Sequence, residues 1–230
     1  MQIHDLDDFL ERYVENYMLA DLVNVKDKVA SDEAGNGAYL ITAAVCSGME
    51  LIGSLTTTYD TLSGCEVCGK PEQKRFKFPI DHYCAHYMAE VDKRYAPFGP
   101  IARELIRNGI AHSFATKGMI GITRKGDVSN HLTRVSDEGV LVINADCFLE
   151  DFKKSYYEFA KPDIKDGGAM RARAVENYAQ MQKIKEVEIE RTMKAVEGKL
   201  DSWPQRDVEV RYSPLLVDQI EEVGEIQYIS

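Results

Sequence analysis

Arg107-Asn108-Gly109-Ile110-Ala111-His112 sets a permanent cation, a neutral amide and a titratable imidazole inside six residues. A guanidinium can grip a phosphodiester through two parallel hydrogen bonds, and an imidazole can move a proton near neutral pH. On a helix Asn108 and His112, four apart, share a face. Arg107 lies about 140° around the axis from His112 and must curl its long side chain toward that face. RNA carries its own nucleophile, the 2′-hydroxyl, so a base, an acid and a cation around the phosphate are enough to cut it without a metal. One imidazole cannot deprotonate the nucleophile and protonate the leaving group in the same step. A two-fold dimer pairing this helix with its mate supplies two histidines and two arginines in one cleft.

Several elements must hold that segment in place. Apolar Leu6, Phe9, Leu10, Tyr13, Val14, Tyr17 and Met18 recur at three- and four-residue steps, predicting a helix over about 3–29. After the loop-like run Ser31 to Gly37, residues 38–55 read as a helix that is apolar nearly all round. Small Ala44, Ser47 and Gly48 let neighbours approach it closely, which marks it as the central core helix. Residues 56–74 read as a loop and 79–95 as a third helix. The motif helix starts near Pro100 and is expected to stop at Gly118, with Lys117 in its last turn.

Beyond Gly118 the apolar period changes to two. Met119 to Arg124, His131 to Val135 and Val140 to Ile143 predict a small antiparallel hairpin or three-stranded meander. A helix capped somewhere in Asn144 to Asp146 follows, running to Pro162. A long helix over 170–200 carries the stripe Ile189, Met193, Val196 and Leu200. The expected fold is mainly α, a helical bundle with a small antiparallel β insert and a long C-terminal helix. Residues 1–162, including the β hairpin at about 119–143, form the core domain. Residues 163–230 form a helix and tail packed on that core or on a partner subunit.

Composition narrows the function. Lys plus Arg number 28 against 38 for Asp plus Glu, a formal charge of −10, which argues against broad wrapping of nucleic acid and leaves room only for a local basic cleft. The start MQIHDLDDFLERY has neither the basic opening nor the apolar run of a signal peptide, and no 18 consecutive residues are apolar. With five cysteines, an odd number, the expectation is a cytoplasmic protein with reduced thiols and no membrane span.

Cys65-Glu66-Val67-Cys68-Gly69-Lys70 has the turn of a zinc knuckle, with His82, Cys84 and His86 a short loop away. Cys65, Cys68, Cys84 and His86 are therefore candidate ligands of a structural zinc ion, with free surface thiols as the alternative. Cys46 and Cys147 read as core residues and His4 and His131 as incidental. Arg124, Lys125 and Arg134 are candidates for a basic rim beside the motif.

The stretch Leu105-Ile106-Arg107-Asn108-Gly109-Ile110-Ala111-His112 resembles the HEPN family, whose signature is an apolar helix ending in Arg-Asn-x-x-x-His. Lys117 soon after the histidine is similar to bacterial members, and the helix at 38–55 is similar in placement to the family's central helix. The resemblance covers roughly residues 1–160. It implies a helical bundle that dimerises around the motif helices and a metal-independent endoribonuclease without a catalytic cofactor. Arg107 would then stabilise charge on the scissile phosphate, Asn108 orient the substrate or the histidine, and His112 act as acid or base. Arg103 and Lys117 are candidate substrate-binding cations. Implied partners are RNA, a second copy of the chain, and an antitoxin or defence-system protein, since many members serve toxin–antitoxin or phage-defence systems. The alternative is a non-catalytic HEPN-like module that binds nucleotide, RNA or protein.

Overall fold

The computed structural model describes residues 5–31, 36–62, 73–113, 115–124, 130–135 and 139–196. The chain is mainly α-helical among these residues, with one two-stranded and one three-stranded sheet. Helix α1 is continuous through Leu6–Phe9, Leu10–Leu19 and Ala20–Lys28, its middle segment wound in wide i→i+5 turns. Asp5 caps it, accepting from the Asp8 amide. Helix α2, Ala38–Thr56, is the axis of the fold and packs against most other helices. It is long and apolar enough to cross a membrane, but 61 % of its most apolar window is buried within the protein. Burial of Ile41, Val45, Met49, Ile52 and Leu55 accounts for its composition. Two of its glycines are close approaches: a Cβ at Gly48 would stand 2.7 Å from the Phe152 ring, and one at Gly53 2.1 Å from the Pro79 carbonyl.

Strands β1 (Tyr59–Leu62) and β2 (Gln73–Phe76) pair antiparallel, Tyr59 opposite Phe76, so the expected loop at 56–74 is flanked by a short ladder. Threonine and aromatic residues at its two ends favour extended backbone over an irregular loop. Helix α3 runs through Pro79–Tyr83, Cys84–Met88 and Ala89–Val91, and ends where extended Asp92 caps a 3₁₀ turn, Lys93–Tyr95. Helix α4, which carries the motif, comprises Gly99–Ile101, Ala102–Arg107 and Asn108–Ser113. Helix α5 comprises Ala145–Ser155, Tyr156–Ala160 and Lys161–Ile164. Of the expected caps, Asn144 takes the position, its Oδ1 accepting from Asp146 and Cys147.

The β insert differs from a meander. Strand β5 (Leu141–Asn144) is central, parallel to β3 (Ile120–Thr123) and antiparallel to β4 (Thr133–Arg134). Two buried polar anchors accompany this order. Arg124, just past β3, is drawn under α1, where its guanidinium donates to the carbonyls of Lys26, Val29 and Asn36 at 2.5–2.9 Å and to Asp146 at 2.8 Å. It is therefore no part of a basic rim; Lys125 lies outside the described residues, and Arg134 is exposed. His131 is also structural. Its Nδ1 accepts the Asn144 amide, so the neutral ring carries its proton on Nε2, which reaches the Tyr95 hydroxyl at 2.7 Å; that hydroxyl donates to Asp151 at 2.8 Å. These anchors hold the two ends of the connection apart, and β5 lies between β3 and β4.

Helix α6, Arg171–Val196, docks by its first turns. Ala174 and Tyr178 are buried, and the Asn177 amide donates to the carbonyls of Ser54, Leu55 and Thr57, closing the C-terminus of α2. The expected stripe does not face the core: Met193 is 54 % exposed, while Leu200 lies outside the described residues.

Candidate functional site

Arg107 closes the wide-turned part of α4, and its guanidinium is held on two sides. Nε donates to Oε2 of Glu50, on α2, at 3.1 Å, Nη2 lies within ion-pair distance of the same oxygen at 3.0 Å, and Nη1 donates to the side-chain Oδ1 of Asn108 at 3.0 Å. Asn108 in turn donates to Glu104 Oε2 at 3.2 Å. Glu104 also contacts Arg103, which forms a two-pronged pair with Asp81, on α3, at 2.9 and 3.2 Å. One polar chain thus runs Asp81–Arg103–Glu104–Asn108–Arg107–Glu50 across three helices. Of the five guanidinium protons of Arg107, two are hydrogen-bonded among the described residues, and the outer edge of the guanidinium remains for a ligand. The side chains of Arg107 and Glu50 are 39 % and 40 % exposed, so this pair is open to solvent.

His112 is exposed and makes no hydrogen bond to any described residue. The structure therefore places Arg107 and Asn108 in contact and leaves His112 free on the final turn of the same helix. Gly109 is buried where the chain doubles back: a Cβ would stand 2.6 Å from the Ala115 carbonyl and 2.9 Å from the Lys117 nitrogen. The Lys117 amide closes this crossing by donating to the Leu105 carbonyl at 2.8 Å. Since α4 ends at Ser113, Lys117 is not in its last turn, as the sequence suggested. It sits on the returning segment, exposed beside the motif.

Arg103, the other candidate substrate-binding cation, is taken up by Asp81 and Glu104 and lies over the Phe78 ring at 4.6 Å. Glu50 and Glu104 are the members of this site that sequence reasoning missed. Nothing distinguished Glu50 from a surface position on a core helix; its only signal was a lone carboxylate in an otherwise uncharged 19-residue run.

Of the candidate zinc ligands, Cys65 and Cys68 lie outside the described residues. Cys84 is buried with its thiol on the Met49 sulfur at 3.8 Å, and His86 is exposed, its Nδ1–H donating to the His82 carbonyl at 3.0 Å. Those two side chains do not converge, and no three potential ligands cluster among the described residues. Cys46 is buried as expected, its thiol pushed up to about 12 chiefly by burial, whereas Cys147 is only partly buried.

His86 stacks on His82 with ring centroids 4.1 Å apart, and Nε2 of His82 is buried without a hydrogen-bond partner among the described residues. Burial, then the neighbouring His86 and Arg173, push the His82 imidazole down to about 4. Because that value lies below the ordinary 6.5, the unfolded chain binds more protons than the folded one between these limits. Stability should therefore fall as the pH drops from about 6.5 to about 4 and level off below. The midpoint difference between wild type and His82→Asn in thermal melts should shrink or turn negative across that window. A difference independent of pH would contradict this assignment.

A cleft of about 350 Å³ between α3 and α5 includes His86, Glu90, Glu158 and Asp163 in its wall. It is acidic and shares no residue with the motif. No family model, curated protein or solved structure matches the chain.

Proposed function

We propose that the protein is a HEPN-like endoribonuclease that cuts RNA without a metal at a site shared by two copies of the chain. The observation that carries the reading is the contrast within one helix end. Arg107 is oriented by Glu50 and Asn108 with the outer edge of its guanidinium still open, while His112 stands exposed about one turn further on, with no hydrogen bond to a described residue. A scissile phosphate on the free edge of Arg107 would have its developing charge stabilised there. One copy's His112 removes the proton from the 2′-hydroxyl, and O2′ attacks phosphorus. The bond to O5′ breaks, and the partner's His112, in its protonated form, gives the leaving oxygen its proton. The products are a 2′,3′-cyclic phosphate and a 5′-hydroxyl, so atoms and protons balance with no co-reactant. Lys117, exposed beside Gly109, extends the positive charge along the strand.

A second reading has its own observation. The pairing of Arg107 with Glu50 neutralises the main cation, as suits a non-catalytic module that binds nucleotide, RNA or protein. A cytoplasmic toxin or phage-defence setting, with an antitoxin or defence partner, belongs with the cleaving reading. The two are separated by incubating the protein with a broad RNA pool in EDTA. Cleavage by wild type, reduced at least about a hundredfold by Arg107→Ala, supports the nuclease. Binding with no cleavage supports the module.

A further inference from the structure

Phe78 is held in a conformation that its own chemistry disfavours. Its backbone is left-handed, φ 45° and ψ 61°, and the next residue is Pro79. A side chain with a Cβ avoids positive φ, and a following proline pushes a residue toward extended backbone, so both neighbours of the bond oppose this geometry. Such conformations persist where surrounding structure over-determines them, and they gather at ligand sites. Here the backbone is fixed by the junction of β2 and α3, where Lys77 donates to Thr58 and the Phe78 carbonyl accepts the His82 amide, and the ring is held by the Arg103 guanidinium, itself fixed by Asp81 and Glu104 and lying 4.6 Å over it. The ring gains little burial in return. Phe78 stays 44 % exposed although the guanidinium covers one face, so water reaches much of the rest.

Its position relative to the motif gives the exposure a use. Arg103 leads through Glu104 and Asn108 to Arg107 by consecutive side-chain contacts. The two arginines stand four positions apart in the wide-turned part of α4, where side chains at that spacing are surface neighbours, close enough to meet adjacent nucleotides of one strand. Tyr17, Tyr39 and Tyr157 are exposed to a similar degree, but neither a hydrogen bond nor a cation–π contact joins any of them to this polar chain among the described residues, whereas Phe78 meets it through Arg103. We propose that Phe78 is a stacking platform for a nucleobase of single-stranded RNA whose phosphate lies at Arg107. The proposal rests on the RNA-cleaving reading above and adds to it the strand state of the substrate. An aromatic face accepts any base, so the platform sets strandedness and register rather than sequence. The Arg103 guanidinium behind the ring reinforces it and keeps it from turning away.

The test uses the full chain carrying Trp203→Phe together with Phe78→Trp, so that the introduced indole is the only one. The probe is a single-stranded 2′-O-methyl oligoribonucleotide, which lacks the nucleophile and cannot be cut. Stacking predicts that the oligonucleotide quenches the indole and that the matching duplex does so far less. In the native background, Phe78→Gly should raise KM for single-stranded RNA by about 5- to 150-fold with kcat little changed, and Phe78→Tyr should stay within about twofold. Because glycine relieves the left-handed backbone, the melting temperature of Phe78→Gly should not fall. A merely structural Phe78 would instead lose melting temperature and kcat together. Absence of quenching with RNA that wild type binds and cuts would overturn the platform and leave the nuclease standing. Quenching by a protein that never cuts RNA would uphold the platform and overturn the nuclease. If wild type neither binds nor cuts RNA, both fall.

Discussion

His112→Ala should cost RNA cleavage about 10²- to 10⁴-fold in EDTA while leaving the melting temperature where it was. The activity loss follows from the magnitude of proton transfer by a positioned side chain. In the proposed two-copy site the substitution removes the base and the acid together, which puts the expected loss at the upper end. Stability should hold because His112 is exposed and makes no hydrogen bond to a described residue. Exposed substitutions away from special contacts stay within about 0.5 kcal/mol. The contrast separates catalysis from folding in one variant. Rate measurements on a broad RNA pool, paired with thermal melts, check both halves. Equal cleavage by the variant would remove His112 from the reaction, and a large drop in melting temperature would show it to be structural.

Arg124→Met should destabilise the fold by about 3–5 kcal/mol, the typical cost of removing one partner from a buried ion pair. The Arg124 side chain is 2 % exposed, and Asp146, left unpaired by the change, is 24 % exposed. The same guanidinium satisfies the carbonyls of Lys26 and Val29 at the end of α1, where backbone acceptors have no helical partner. It also reaches Asn36, before α2, so one side chain joins α1, the entry to α2, strand β3 and the start of α5. Methionine fills similar volume but offers no donor, leaving three carbonyls and a carboxylate unmet. Urea unfolding should show the midpoint falling with little change in slope. A loss below about 1 kcal/mol would mean that water replaces the guanidinium at no great cost.

Helix periodicity located α1, α2 and α5 because each buries a stripe or a girdle, and burial is what a 3.6-residue apolar pattern encodes, whereas the stripe that marked α6 does not face the core and that helix docks by its first turns instead. Capping was legible too: Asn144 is both the last residue of β5 and the cap of α5. What escaped was decided by single long-range contacts. No local pattern distinguishes an arginine bound for a helix terminus from one on a surface rim, so Arg124 looked basic and available. His131 looked incidental because Tyr95 and Asp151 are remote in sequence, yet it is a buried anchor beside the sheet. At the candidate site, the types and spacing of Arg107, Asn108 and His112 were readable. Their electrostatic setting was not, since Glu50 reaches Arg107 across 57 positions. The glycine of the motif is explained by the backbone crossing at Ala115 to Lys117, a tertiary fact with no local signature.

The chemistry of the cut ends tests the central claim most directly. RNA fragments made by wild-type protein in EDTA should carry 2′,3′-cyclic phosphate, or the monophosphate from its opening, on one side and 5′-hydroxyl on the other, and His112→Ala should make none. Fragments ending in 3′-hydroxyl and 5′-phosphate, formed only when a divalent metal is supplied, would contradict it.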